Sequence, residues 1–287
     1  KNHRKGTKNM EEKKYLYHYT SIDTLLLILK NKTICFNSLV NVDDLEECET
    51  GDIKKLGRFC YASCWTDSDE ELIALWSMYT PNMQGVRIKL EQFPFVKYNY
   101  KKGDYYFKED STSFINYKEL TEDDKASIVP NCPTLTKVIY TDDESLLFPI
   151  SKNIEKKTIY TNGKITNTEN ISYKIDKIGK YKRKNWKFQN EIRYLISMAP
   201  WSVRELELCS KQKDFVKAQR ELLNRLEDKN IKAPYDRYFL KLDENKLENI
   251  EILLGPKVTE AQKEMVNLIV KEYCPTAKIS QSTLKIR

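Results

Sequence analysis

Three groups of residues have the types and spacing to do chemistry. The first is Tyr17-His18-Tyr19-Thr20-Ser21, which puts one of the chain's two histidines between a short apolar run and the apolar stretch Ile22 to Leu29. A histidine at such a corner either faces a ligand or closes a structural hydrogen bond. The second is Glu191-x-Arg193. On extended chain, residues two apart point to the same side, so this carboxylate and guanidinium are expected to be neighbours. They form either part of a site or an ion pair on a strand edge. The third is the run Lys174, Lys177, Lys180, Lys182, Arg183, Lys184 and Lys187, interrupted by Asp176 and interleaved with Tyr173, Tyr181 and Trp186. Cations neutralise phosphates and planar rings stack on bases, so the run suits DNA or RNA, or else is a solvated face.

These residues need elements to hold them. Ile22, Leu25, Leu26, Ile28 and Leu29 have the period of an amphipathic helix capped by Thr20 or Ser21. Ile34 to Phe36 and Arg58 to Trp65 read as strands, with a polar acidic loop through Asn41, Asp43, Asp44, Glu46 and Glu47 between them. Asp67 to Tyr79 reads as a helix with Leu72, Ile73, Leu75, Trp76 and Tyr79 on one face. Pro81 and Gly85 break the chain before the alternating strand Val86 to Leu90. Thr158 to Asn170 is expected as an exposed loop or insertion, Ile192 to Ile196 as a buried strand, and Ser210 to Lys229 as one charged helix. The C-terminal part reads as strand Ile250 to Leu254, turn Gly255-Pro256, helix Thr259 to Tyr273 and strand Lys278 to Ser280. The sequence thus predicts an α+β fold with a split, mostly antiparallel β core flanked by helices from Ser21, Asp67, Ser210 and Thr259. One domain spans 15–287, with an insertion around 91–173 and a disordered basic tail at 1–14.

Composition narrows the function classes. The 287 residues are 40% hydrophobic and 32% charged, enough apolar content for a substantial core. No apolar run is long enough to span a bilayer or to act as a secretory signal, so a soluble cytoplasmic protein with no membrane partner is expected. Seven cysteines and two histidines without paired ligand spacing argue against zinc and for reduced thiols. Residues 1–150 carry 20 Lys/Arg and 24 Asp/Glu, whereas 151–287 carry 29 and 18, so the net +7 combines −4 in the first half with +11 in the second. Eight glycines and no Gly-x-Gly-x-x-Gly disfavour a Rossmann dehydrogenase. Ser63 lies in no nucleophile elbow. Cys64 is either a nucleophile paired with His18 or, flanked by Ala62, Ser63 and Trp65, a buried, inert thiol.

The ordered set Tyr17 to Ser21, Ser38-Leu39 with Asn41 and Asp43-Asp44…Glu47, Ser63-Cys64-Trp65, Trp76-x-x-Tyr79, Gly85-Val86, Trp186…Glu191-x-Arg193 and Leu254-Gly255 resembles the bacterial family called domain of unknown function 2971. The likeness runs from Tyr15 to the C-terminus; where the family reads Asn-Asp-Pro, this chain has Asp43-Asp44-Leu45. The family layout is in turn similar to ADP-ribosyltransferase-like folds. That resemblance implies a His on the first core strand, matched by His18 with Tyr19 and Thr20, and an aromatic or Ser on a second, matched by Ser63 or Tyr79. It also implies a late Glu, matched by Glu191, around bound NAD. The implied activity is NAD-dependent ADP-ribosyl transfer to nucleic acid or protein, as in a toxin or phage-defence effector. Glu191 would oppose positive charge developing on the ribose, and His18 would bind the adenosine-side ribose. Trp76 or Tyr79 would stack on nicotinamide, and Arg193 or the lysine run, with Lys180, Lys182, Arg183, Lys184 and Lys187, would meet the diphosphate or a nucleic-acid acceptor. An NAD glycohydrolase at the same site and a nonenzymatic nucleotide- or nucleic-acid-binding module are the alternatives.

Overall fold

The computed structural model describes residues 14–161 and 164–287, so all but the last residue of the tail expected at 1–14 lies outside the described residues. The described chain divides into two compact units. One takes the described part of Lys1–Leu26 with Asp67–Pro94 and Glu244–Arg287; the other takes Leu27–Thr66 and Phe95–Asp243. The expectation of a mixed α and β fold with mostly antiparallel strands and flanking helices holds in these elements.

In the first unit the strand Tyr15–Thr20 pairs antiparallel with Val86–Glu91, which pairs antiparallel with Glu251–Leu254. Glu251–Leu254 pairs parallel with Lys278–Gln281. A parallel pair needs a long connection, here the helix Glu260–Tyr273, whose start is fixed by a reciprocal capping box between Thr259 and Gln262. Alternation sends Leu16, Ile88 and Ile252 to the core side, all buried. His18 lies in the row with Ile88 and Ile252 and is half-buried.

The helix expected from Asp67 begins six residues later, as Ile73–Tyr79. Backbone groups ahead of it are taken by other partners. The Arg87 guanidinium donates to the carbonyls of Asp69 and Glu70 at 2.9 and 3.1 Å, and the Leu72 N–H donates to the Tyr19 hydroxyl at 2.9 Å. Trp76 is fully buried against the edge of Tyr19, ring centroids 4.8 Å apart, with Leu75 completing a small core.

The second unit is built on five antiparallel strands in the order Arg237–Lys241, Thr33–Ser38, Cys60–Thr66, Glu191–Ala199 and Ser127–Lys137. A register shift between Leu195 and Ser197 marks a bulge against the last strand. The described residues of Thr158 to Asn170 are not a loop. They lie in two antiparallel paired strands, Lys152–Thr161 and Lys164–Tyr173, in keeping with the strand preference of their Thr and Ile content. Of the helix expected over Ser210 to Lys229, only Phe215–Asn224 is helical, and Ser210 instead ends a separate helix, Val203–Ser210. The Asp214 carboxylate accepts from Lys217 N–H and starts the helix at Phe215, while Ser202 forms a capping box with Glu205 at the start of the preceding one. Below the sheet, Leu39, Leu56, Phe59, Ala62, Ile178 and Leu195 form one apolar core.

Gly85 is where close approach of backbone excludes any side chain. A Cβ there would lie 2.3 Å from the Thr20 carbonyl oxygen and 2.6 Å from Thr80 Cβ. Gly85→Ala is expected to lower stability by about 2 kcal/mol or more, read as a reduced urea midpoint at unchanged slope.

A buried charge cluster as the candidate functional site

The carboxylate and guanidinium that the sequence places side by side do meet, with two further charges that it did not single out as partners. Glu191 and Arg193 open the strand Glu191–Ala199 and point to the same face. Lys182 comes from the short strand Tyr181–Arg183, paired parallel with Ile139–Thr141. Glu47 comes from the single turn Leu45–Cys48, started by Asp44, whose carboxylate accepts from the Glu46 N–H at 3.1 Å. None of the four side chains is more than 5% exposed.

Every donor in the cluster has an acceptor. Arg193 donates through Nε to Glu191 Oε1 at 2.5 Å and through Nη2 to Glu191 Oε2 at 3.0 Å. It grips Glu47 through Nη1 to Oε2 and through Nη2 to Oε1, the latter at 2.9 Å, and its remaining Nη1 hydrogen goes to the Gly179 carbonyl at 3.0 Å. These are all five guanidinium N–H groups. Lys182 Nζ spends its three on Glu47 and Glu191, each at 3.0 Å, and on Gln189 Oε1 at 2.8 Å. The Tyr140 hydroxyl accepts the Glu191 backbone N–H at 3.0 Å.

Two carboxylates and two cations sum to zero, which is what permits them in a dry interior. Burial by itself would push the Glu191 pKa up. The attraction of Arg193, then of Lys182, outweighs it and brings the carboxyl down to about 2. The same surroundings push Cys64 well above the usual thiol range, first by burial and then by the Glu191 charge. Cys60 is pushed up to about 12 by burial, so neither thiol is a nucleophile at neutral pH.

The other expected site residues fall elsewhere. Ser63 sits on the same sheet as Glu191 but pairs with Tyr194, on the opposite face, and accepts from Trp65 Nε1 at 3.0 Å. Tyr19, Trp76 and Tyr79 come together in the core of the first unit, where the Trp76 ring is enclosed and its Nε1–H donates to Glu71 at 3.0 Å. Thr20 is buried in that unit, beside half-buried His18 on the same strand.

Of the five cations expected at nucleic acid, Lys182 is inside the cluster. Arg183 lies between Glu46 and Glu144, and Lys184 pairs with Asp142 at 2.9 Å. Lys180 and Lys187 have no ion-pair partner among the described residues. Sequence reasoning missed Glu47 as a partner. The signals were its acidic loop and its place in the motif set, and 146 residues separate it from Arg193.

Residues 75–194 match the family described as Protein of unknown function (DUF2971). No curated protein and no solved structure matches the chain. The DUF2971 span takes in Lys182, Glu191 and Arg193, whereas Glu47 and His18 precede it. No helix among the described residues is long and apolar enough to cross a membrane.

Breaking the cluster by one member strands an uncompensated charge. Arg193→Met is therefore expected to destabilise the chain by about 3–5 kcal/mol, and Lys182→Met with Glu47→Gln by less than the sum of the two single changes. Chemical denaturation of Arg193→Met, of the two single variants and of the double variant measures this. Because the Glu191 pKa is depressed on folding, its contribution is complete above the unfolded value of 4.5 and is lost as pH falls toward about 2. An acid titration of wild-type stability should show a decline across that window, and the Glu191→Gln titration a smaller one.

Proposed function

We propose that this chain breaks the bond between nicotinamide and ribose in NAD and transfers the ADP-ribosyl group to nucleic acid or protein. The observation that carries the reading is the state of Glu191, a carboxylate kept ionised and oriented by Arg193 and Lys182. Cleavage of this bond develops positive charge on the sugar. A carboxylate already fixed in place opposes that charge without reorganising. In this reading a ribose hydroxyl displaces one donor now at Glu191, the Lys182 ammonium on its flexible stem, while the planar Arg193 fork stays as the orienting group. Support also comes from the order along the chain, with His18 on the first strand and Glu191 on a late one, as in the ADP-ribosyltransferase-like layout. With water in place of the acceptor, the same chemistry is that of an NAD glycohydrolase. An NAD-consuming transferase of this kind would serve as a toxin or phage-defence effector.

A second reading is favoured by the completeness of the cluster. With every Arg193 and Lys182 donor matched inside the protein, Glu191 would act only as a structural counter-charge and the chain as a nonenzymatic binder of nucleotide or nucleic acid. Its contacts would be the exposed Lys174, Lys177 and Lys187, which have no ion-pair partner among the described residues. Binding of that kind weakens steeply with salt.

Incubation with labelled NAD, scoring released nicotinamide and label carried to DNA, RNA or protein, separates the two readings. The enzyme reading expects turnover by the wild type and a loss of roughly 100-fold or more in kcat for Glu191→Gln protein that is still folded. Wild-type protein that releases no nicotinamide with any of these acceptors leaves the binding reading.

A further inference from the structure

One row beyond Arg193, on the same face of the second unit's sheet, lies a cavity of about 240 Å³. Its floor is Leu195 and Ser197, with Cys60 opposite Ser197 on one neighbouring strand and Thr134 opposite Leu195 on the other. The bulge between Leu195 and Ser197 falls at this floor. A bulge interrupts the ladder and bends the strand, which gives a physical reason for a hollow there.

The cover is the turn 175–180. Ile178 N–H donates to the Ile175 carbonyl at 3.1 Å, and Arg193 holds the Gly179 carbonyl from within the charge cluster. Gly179 has φ +76° and lies against Leu39 and Leu195, where a Cβ would come within 3.2 Å of both. The cover is therefore held from outside the cavity by Arg193, a preorganised arrangement that lowers the cost of binding.

Two charges line this space, Asp176 and Lys180. Neither has an ion-pair or hydrogen-bond partner for its side chain among the described residues, whereas the adjacent Lys182, Arg183 and Lys184 are all paired. Between them the lining is apolar, from Ile175, Ile178 and Leu195. The volume is below the roughly 300–1,000 Å³ of pockets for drug-sized ligands, so a whole dinucleotide does not fit.

We propose that this cavity binds a free α-amino acid with an apolar side chain, its carboxylate on Lys180, its ammonium on Asp176 and its side chain against Leu195 and Ile178. A zwitterion answers both unpaired charges at once, which a simple acid or a simple amine does not. The proposal stands apart from any activity of Glu191.

Isothermal titration calorimetry of the full chain with L-leucine and L-phenylalanine tests it, with 4-methylpentanoate and isoamylamine as the single-charge controls. Saturable binding of one or both amino acids is expected, weakened tenfold or more by Lys180→Gln and by Asp176→Asn, with both controls bound at least tenfold more weakly. Ser197→Phe, which fills the floor, is expected to abolish it. The two charge variants alter exposed or half-exposed side chains, so they remain informative if Ser197→Phe fails to fold. Absence of saturable heat for either amino acid up to about 10 mM, or equal binding of 4-methylpentanoate, would overturn the assignment.

Discussion

The second unit depends on a charge balance inside a space that excludes water. Two carboxylates and two cations lie almost completely buried together, and each would be prohibitive there alone. The balance ties distant stretches to one point. Glu47 anchors the acidic turn, Lys182 the short parallel strand pair, Gly179 the turn over the cavity, and Glu191 with Arg193 the start of a central strand. Such clusters add little net stability compared with an apolar core of the same shape. What this one provides is position, because each member has few arrangements that leave its partners satisfied.

Arginine at position 193 suits that task in a way lysine would not. Its planar fork binds two carboxylates side by side and still reaches a backbone carbonyl. A lysine there would offer three hydrogens where five are used. The same fork fixes Glu191 as an anion of defined orientation, which is the property that the sugar-bond chemistry requires and that a structural counter-charge has equally. The difference between the two roles lies in whether Lys182 gives way to a substrate.

Much of the fold was legible because period and burial coincide. The strand Val86–Glu91 alternates in the sequence and in the structure, and Thr259 caps its helix through the capping box that its Gln262 allows. Ahead of Ile73 the reading failed because partners distant in sequence decided the outcome. Arg87 and Tyr19 hold the chain before Ile73 out of the helix. Within Ser210 to Lys229 the cap at Asp214, which starts the helix at Phe215, was present in the sequence but was read as part of the helix. The Thr-rich stretch at 158–170 was read from its polarity, while its backbone pairing follows β preference.

For the site, residue type and spacing determined that Glu191 and Arg193 would face the same way, since a period of two on extended chain leaves no alternative. They also showed that the basic residues gather in the second half of the chain. Only the tertiary structure decided that Glu47 would close the cluster and that Lys182 would be enclosed rather than offered to solvent. It likewise placed Trp76 among core side chains and Ser63 on the far face from Glu191. Local sequence carries the periodicity of a strand or helix. It does not carry which remote charge will neutralise a buried one, because that choice is made by the packing of segments more than a hundred residues apart.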